Sequence, residues 1–267
     1  MIVRCGRWLY LGRTLEDGRT RIQLCGPLVV RIGEERAERR LPGRQGELLF
    51  AYLVVHRGRP MSRDSLIEAV WPLGAPSATD SALSALLSKL RRVVDPAWME
   101  GRSTLVLRLP EGTLIDLEAA REALHRAESA VALERWSDAW GPARVALHTS
   151  NRGVLVDLEA PWIDELRHEV EGIQQRALEC VAATGLGLGG PEIASAERSG
   201  RRLIELSPYN ESGYCFLMEA LAARDRVAEA LRIYERLREL LRDELGIPPG
   251  AAAQGIHRHI VERRANA

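Results

Sequence analysis

Between Ser77 and Pro96 the chain reads SATDSALSALLSKLRRVVDP, and at about 100° per residue Leu83, Leu86, Leu87, Leu90, Val93 and Val94 share one face. That pattern predicts an amphipathic helix on a core. Ser77 with Asp80 three residues later supplies a capping pattern, and Asp95-Pro96 supplies the stop. Upstream, RIQLCGPLVVRIGEERAERRLPG from Arg21 breaks short apolar stretches with Gly-Pro and Gly-Glu, which are hairpin signals. RQGELLFAYLVVHRG predicts a helix at 45–57, with Leu48, Leu49, Tyr52, Leu53 and His56 inward and Gly58 ending it. PMSRDSLIEAVWP predicts a short second helix capped by Ser62, apolar at Leu66, Ile67, Val70 and Trp71, and closed by Pro72. STLVLRLPEGT then reads as a strand and a turn. Sheet, three helices and strand is the order of a winged helix-turn-helix whose third helix reads DNA.

From Asp116 onward the pattern changes to long amphipathic helices. Pairs are predicted at 116–132 with 134–148, 162–184 with 191–206 and 211–223 with 226–245, followed by a helix at 251–264. Such pairs suggest a helical-repeat array with a period of roughly 34 residues. Tyr214, Leu217, Leu221, Ala230 and Tyr234 sit at tetratricopeptide spacings. Gly141-Pro142 is expected to kink or break the second helix of the first pair. The expected fold is mostly α with a small β component: a winged helix-turn-helix followed by an all-α tetratricopeptide-like repeat domain. The expected divisions are an extension at 1–20, a DNA-binding domain at 21–115 and a helical domain at 116–267.

The outer face of the 77–96 helix changes the picture. A solvated face normally carries long charged side chains, whereas this one presents Ser81, Ser84, Ala85 and Ser88 before Lys89, Arg91 and Arg92. Small residues allow close approach to another surface, serine hydroxyls bond phosphates or base edges, and Arg or Lys reaches guanine or phosphate. The bland reading of the basic end is complementation of the helix dipole. Lys89 is the only lysine in the chain. The formal net charge is zero, yet residues 1–115 hold 18 Arg+Lys against 12 Asp+Glu, and residues 116–267 hold 19 against 25. A basic first half and an acidic second half suit a DNA-contacting domain joined to a protein-facing one.

Other chemistry is thinly represented. No run approaches the roughly 18 apolar residues of a membrane span, and MIVRCGRWLYLG lacks a signal-peptide core, so a cytoplasmic protein is expected. Cys5, Cys25, Cys180 and Cys215 form no CxxC pair and are expected as buried free thiols. GLGLGG at 185–190 follows a helix rather than a strand and is expected as an interhelical loop. His56, His125, His148, His168, His257 and His259 show no metal spacing, and no nucleophile motif is present, so neither metal, cofactor nor catalysis is expected. Core burial is expected for Trp71, Trp136 and Trp140.

Together, IQLCGPLVV, LPGRQGELLFAYLVVHRGRPMSRDSLIEAVWP, SALSALLSKLRRVV and RLPEGTLIDLEAAREAL resemble the amino-terminal domain of the Streptomyces antibiotic regulatory protein family. LMEALAARDRVAEALRIYERLRELLRDELGIPPG is similar to that family's bacterial transcriptional activator domain, and the resemblance covers roughly residues 21–262. It implies an OmpR-type winged helix fused to a tetratricopeptide-like domain. Its implied function is transcriptional activation by side-by-side dimers that bind direct repeats in double-stranded DNA and recruit RNA polymerase holoenzyme, commonly at biosynthetic gene clusters. Carried onto this chain, Ser81, Ser84, Ser88, Lys89 and Arg92 face outward from the recognition helix, with Arg91 beside them. Arg44 and Arg63 match phosphate-touching places, and the loop from Trp71 through Pro72, Leu73 and Gly74 to Ala78 matches the polymerase-facing segment. Ala85 and Leu86 stand where the family has larger polar residues, which shifts weight from direct base readout to DNA shape. The wing segment WMEGRSTLVLRL is shorter than the family's and lacks its Gly-Tyr, so minor-groove contacts are not carried onto Arg102 or Arg108. These departures leave a second reading, a degenerate winged helix that serves as a protein-interaction module through its helical repeats.

Overall fold

The structure, a computed structural model, describes residues 20–72, 74 and 76–265. The expected extension up to residue 19, with Cys5 and Trp8, lies outside the described residues, as do Leu73 and Ala75. The described residues divide into two compact units, one holding residues 20–23 and 28–114, the other holding residues 24–27 and 115–265.

The first unit opens with β1 (Arg21–Gln23), β2 (Val29–Ile32) and β3 (Glu35–Arg36), antiparallel in turn, with Ile22 opposite Val30 and Arg31 opposite Arg36. β7 (Leu114–Ile115) closes the sheet beside β1, where the Leu114 N–H donates to Thr20 O at 3.0 Å. Three helices follow: α1 (Gly43–Val55), α2 (Arg63–Val70) and α3 (Thr79–Leu90). Their inward faces bury Leu48, Leu49, Phe50, Leu53, Leu66, Leu83, Leu86, Leu87 and Leu90. Tyr52 and His56, expected inward, are half-buried on the flank of α1, ring against ring at 4.2 Å. A second sheet joins β4 (Met61–Ser62), β5 (Met99–Glu100) and β6 (Thr104–Leu107), with Met61 opposite Leu105 and Met99 opposite Leu107. Trp98, which periodicity leaves unplaced, is buried in this unit, whereas Trp71 is half-buried.

The second unit contains α4 (Asp116–Ala132), α5 (Trp136–Ser150), α6 (Pro161–Leu188), α7 (Ile193–Leu206), α8 (Glu211–Ala223), α9 (Val227–Leu245) and α10 (Ala251–Ala265). Each helix packs on the next, and α4, α6, α8 and α10 also pack on one another in order, which is the layering of a helical-repeat array. The repeat is visible bond for bond in two turns. After α4, the N–H groups of Leu133, Glu134 and Arg135 donate to Ala130, Val131 and Ala130; after α8, those of Arg224, Asp225 and Arg226 donate to Leu221, Ala222 and Leu221. Glu134 and Asp225 both take positive φ, at 53° and 60°, and each following Arg pairs with an acid three residues on, Asp138 or Glu229. The helices begin at 116, 161, 211 and 251, so spacing is irregular although the architecture repeats.

Pro142 does not break α5. The ladder bond it forfeits is offset by packing, since Ala139, Ala143 and Ala146 are fully buried, as are Ala120, Ala123 and Ala127 on the neighbouring α4. The glycine run also departs from expectation. Residues 185–188 continue α6, and only Gly189 and Gly190 turn the chain, at φ 72° and 57°. A Cβ on Gly187 would sit 2.4 Å from the Trp136 ring, so this glycine seats the half-buried indole. Trp140 is half-buried as well, with the Arg144 guanidinium 5.5 Å from its ring centre.

Two polar anchors lie within this unit. Asp116 accepts the N–H groups of Leu24 at 2.7 Å and Cys25 at 3.1 Å, and Gly26, Leu24 and the 153–156 segment exchange backbone bonds of 2.9–3.2 Å. Burial pushes the Asp116 carboxyl up to about 6, opposed by these N–H donors and by Arg152 at 3.8 Å. Glu197, buried in α7, meets Arg201 at 2.5 Å, Arg226 at 2.7 Å and Arg224. Burial opposes its charge, but the three guanidinium groups hold its pKa below the ordinary carboxylate value. Cys25 and Cys180 are buried and Cys215 is half-buried. Burial, with nearby carboxylates, pushes the thiols up to about 12, 12 and 11, so they stay protonated.

Asp116→Ala is expected to destabilise the helical unit by about 2 kcal/mol, because two buried N–H groups lose their acceptor; urea denaturation followed by far-UV circular dichroism measures it. Tyr214 is fully buried with its hydroxyl unpaired among the described residues. Tyr214→Phe is therefore expected to raise the melting temperature or leave it unchanged, and a fall would show a partner for the hydroxyl.

Candidate nucleic-acid interface

The second and third helices of the first unit are held together by a small polar cluster. Ser62 caps α2, its Oγ accepting the Ser65 N–H at 3.1 Å and lying 2.8 Å from Ser65 Oγ. Capping places Arg63 at the first position of α2. Its Nε donates to Asp80 Oδ1 at 3.2 Å, and its Nη2 donates to Asp80 O at 3.0 Å and to Ser84 Oγ at 2.9 Å. This fork explains why the Ser77/Asp80 capping pattern is not used. The Asp80 carboxylate meets a guanidinium instead, α3 starts at Thr79 without a side-chain cap, and Thr79 Oγ1 donates to Pro76 O at 2.6 Å.

Burial of Leu83, Leu86, Leu87 and Leu90 turns Ser81, Ser84, Ala85, Ser88 and Lys89 to solvent. The helix ends at Leu90, earlier than the Asp95-Pro96 stop, so Arg91 and Arg92 lie in the turns that follow. Val94 reaches the core from there and Val93 is half-buried. Arg92 is exposed, and Arg91 is half-buried with its Nη2 donating to Gly101 O at 3.1 Å. Arg40, which the sequence reading did not single out, donates from Nη2 to Arg92 O at 3.1 Å and steadies the same turn. Arg44 is exposed in the first turn of α1. Trp71 is half-buried and Pro72 and Gly74 are exposed; Leu73 lies outside the described residues.

The short hairpin of β5 and β6 stands beyond Arg91. Its turn requires glycine, because Gly101 has φ 93° and a Cβ there would lie 1.9 Å from Thr104 O. Arg108 is tied to Glu100 by a 2.8 Å bond, and Arg102 is exposed at the turn. The face thus gathers hydroxyls at its centre and cations toward its carboxyl end, with Arg63 and Asp80 cancelling each other at the start. Among the described residues no group of three His, Cys, Asp or Glu is placed to hold a metal ion, and no helix is long and apolar enough to cross a membrane.

Comparison with known proteins agrees with this two-part architecture. Residues 37–108 match the carboxy-terminal domain of transcriptional regulatory proteins, and residues 115–261 match the bacterial transcriptional activator domain. The chain belongs to the bacterial transcriptional activator domain family, with the domain pair of the Streptomyces antibiotic regulatory protein family. It is 31% identical over 250 residues to the regulatory protein AfsR of Streptomyces coelicolor, covering 92% of this chain and 25% of that one. It is 27% identical over 268 residues to the transcriptional regulatory protein EmbR of Mycobacterium tuberculosis, covering 95% of this chain and 66% of that one. A solved structure of M. tuberculosis EmbR, in complex with a low affinity phosphopeptide, has the same fold, with TM-score 0.79 and 23% identity over 92% of this chain and 65% of that one. The chain therefore spans a quarter of one curated relative and just under two thirds of the other.

In this family member Gly101→Ala is expected to cost about 1–3 kcal/mol and to unfasten the hairpin turn from Arg91. Hydrogen exchange resolved to residues 99–107 should accelerate while α4 to α10 keep their protection.

Proposed function

We propose that the chain is a cytoplasmic, DNA-binding transcriptional activator that docks α3 in the major groove. The observation that carries this reading is the outer face of α3, where Ser81, Ser84, Ser88 and Lys89 are exposed on a helix whose other face is locked by four buried leucines, with Arg92 exposed in the turn that follows. Ser81, Ser84, Ser88, Lys89 and Arg92 approach base edges and nearby phosphates. Arg44 contacts phosphate, while Arg63 and Arg91 present to phosphate the N–H groups their protein partners leave over. The OmpR-type fold and the regulatory relatives support binding as a homodimer to direct repeats. The loop at Trp71 to Gly74 and the helical-repeat unit are the surfaces proposed to meet RNA polymerase, with a biosynthetic gene cluster as the regulated target.

The test is selection of bound fragments from random and genomic DNA, run beside a Lys89→Ala/Arg92→Ala variant. A spaced direct repeat that the variant loses is the expected result. With about six phosphate contacts, affinity is expected to fall on the order of a thousandfold between about 50 and 200 mM salt. Folded protein that selects nothing, with a flat salt response, would transfer the function to the helical repeats as a protein-interaction module.

A further inference from the structure

We infer that Arg63 is a positioning residue that sets Ser84 as a hydrogen-bond donor toward the DNA, so that α3 disfavours cytosine at the base Ser84 meets. This inference rests on the reading of α3 as the major-groove helix.

A serine hydroxyl has one hydrogen to give and two lone pairs to offer. Inside a helix it commonly gives that hydrogen to the carbonyl four residues back, and two serines of the second unit do so: Ser129 donates to His125 O at 2.8 Å and Ser150 to Ala146 O at 2.9 Å. Ser84 does not. The carbonyl four residues before it, Asp80 O, accepts from Arg63 Nη2 at 3.0 Å, and the same Nη2 donates to Ser84 Oγ at 2.9 Å. Guanidinium hydrogens therefore occupy both the carbonyl and the inward side of the hydroxyl oxygen, and the Ser84 hydrogen is directed away from them, toward solvent. Asp80 Oδ1 at 3.2 Å from Arg63 Nε holds the fork in that orientation, and Ser62, by capping α2, places Arg63 within reach.

A donor in the major groove distinguishes bases by what they can accept. Guanine offers N7 and O6, adenine N7 and thymine O4, whereas cytosine presents its N4 amino hydrogens. The outward Ser84 hydrogen thus pairs with guanine, adenine or thymine, whereas cytosine can be met only by the one lone pair that Arg63 leaves over. Ser88 has no such guanidinium beside it among the described residues and is free to turn either way, so the bias belongs to one position of the reading face.

The experiment is base-resolved selection from randomised DNA with the full chain, Ser84→Ala and Arg63→Met, each checked for cooperative melting. The wild-type chain should deplete cytosine about five- to tenfold at one position of each half-site, the worth of one hydrogen bond. Ser84→Ala should restore cytosine there and leave the other positions as they were. Arg63→Met should restore it too, because Ser84 regains its own carbonyl. If Arg63→Met melts without cooperativity, Arg63→Ala, which likewise removes both Nη2 bonds, is read in its place with the same expectation. Loss of the bias in Ser84→Ala but its full retention in the cooperatively melting Arg63 variant would overturn the positioning role. A repeat with no position altered by Ser84→Ala would overturn the donor assignment while leaving DNA recognition intact. A wild-type chain that selects no sequence at all would remove the underlying reading, and this inference with it.

Discussion

Four leucines settle what α3 shows to solvent. Because Leu83, Leu86, Leu87 and Leu90 are buried, the rotation of the helix about its axis is fixed, and the serines and cations between them are exposed by geometry. Every other feature of the face works within that constraint. Arg63 and Asp80 join the beginning of α3 to α2, and Arg91, Arg40 and Gly101 fasten its end to the turn and the hairpin. Each fastening is an exposed or half-exposed polar contact worth little on its own. Their joint effect is to define the direction of a few atoms on a surface that hydrophobic packing has already oriented.

The helical unit solves its packing problem differently. Its first pair of helices meets along alanines, which bring backbones close and let α5 carry a proline without interruption. Its last helices close over Tyr214, Leu217, Met218, Leu221 and Leu237. The identical hydrogen-bond pattern in the turns after α4 and α8 shows that the repeat resides in backbone geometry more than in side-chain identity, since Trp136 in one turn occupies the place of Val227 in the other.

Much of this was legible in the chain itself, because helix-forming periodicity depends on near neighbours. The seven helices of the second unit lie within a few residues of their expected bounds, and the Ser62 cap is as the sequence reads. What could not be read depended on partners distant in sequence. The Ser77/Asp80 pattern looked sufficient until Arg63, seventeen residues before Asp80, took the carboxylate. Residues 185–188 looked like a loop because glycine is a poor helix former, yet the seat for the Trp136 ring keeps them helical. Ser84 was legible as an outward hydroxyl, but the direction of its hydrogen was not, since that is set by a guanidinium from another helix.

The segment at residues 24–27 carries a consequence for how such a chain is made and inherited. Its partners, Asp116 and the 153–156 stretch, lie some ninety residues or more downstream. During synthesis the segment leaves the ribosome long before anything exists for it to dock on, so the helical unit must wait for, and then recapture, a piece of chain made early. Separating the halves at residue 115 would strip the helical unit of a backbone strap and leave its buried aspartate without the two N–H groups it accepts. A gene for this protein cannot exchange its amino-terminal half as a simple cassette; the swapped piece has to bring along a strap that fits the other half.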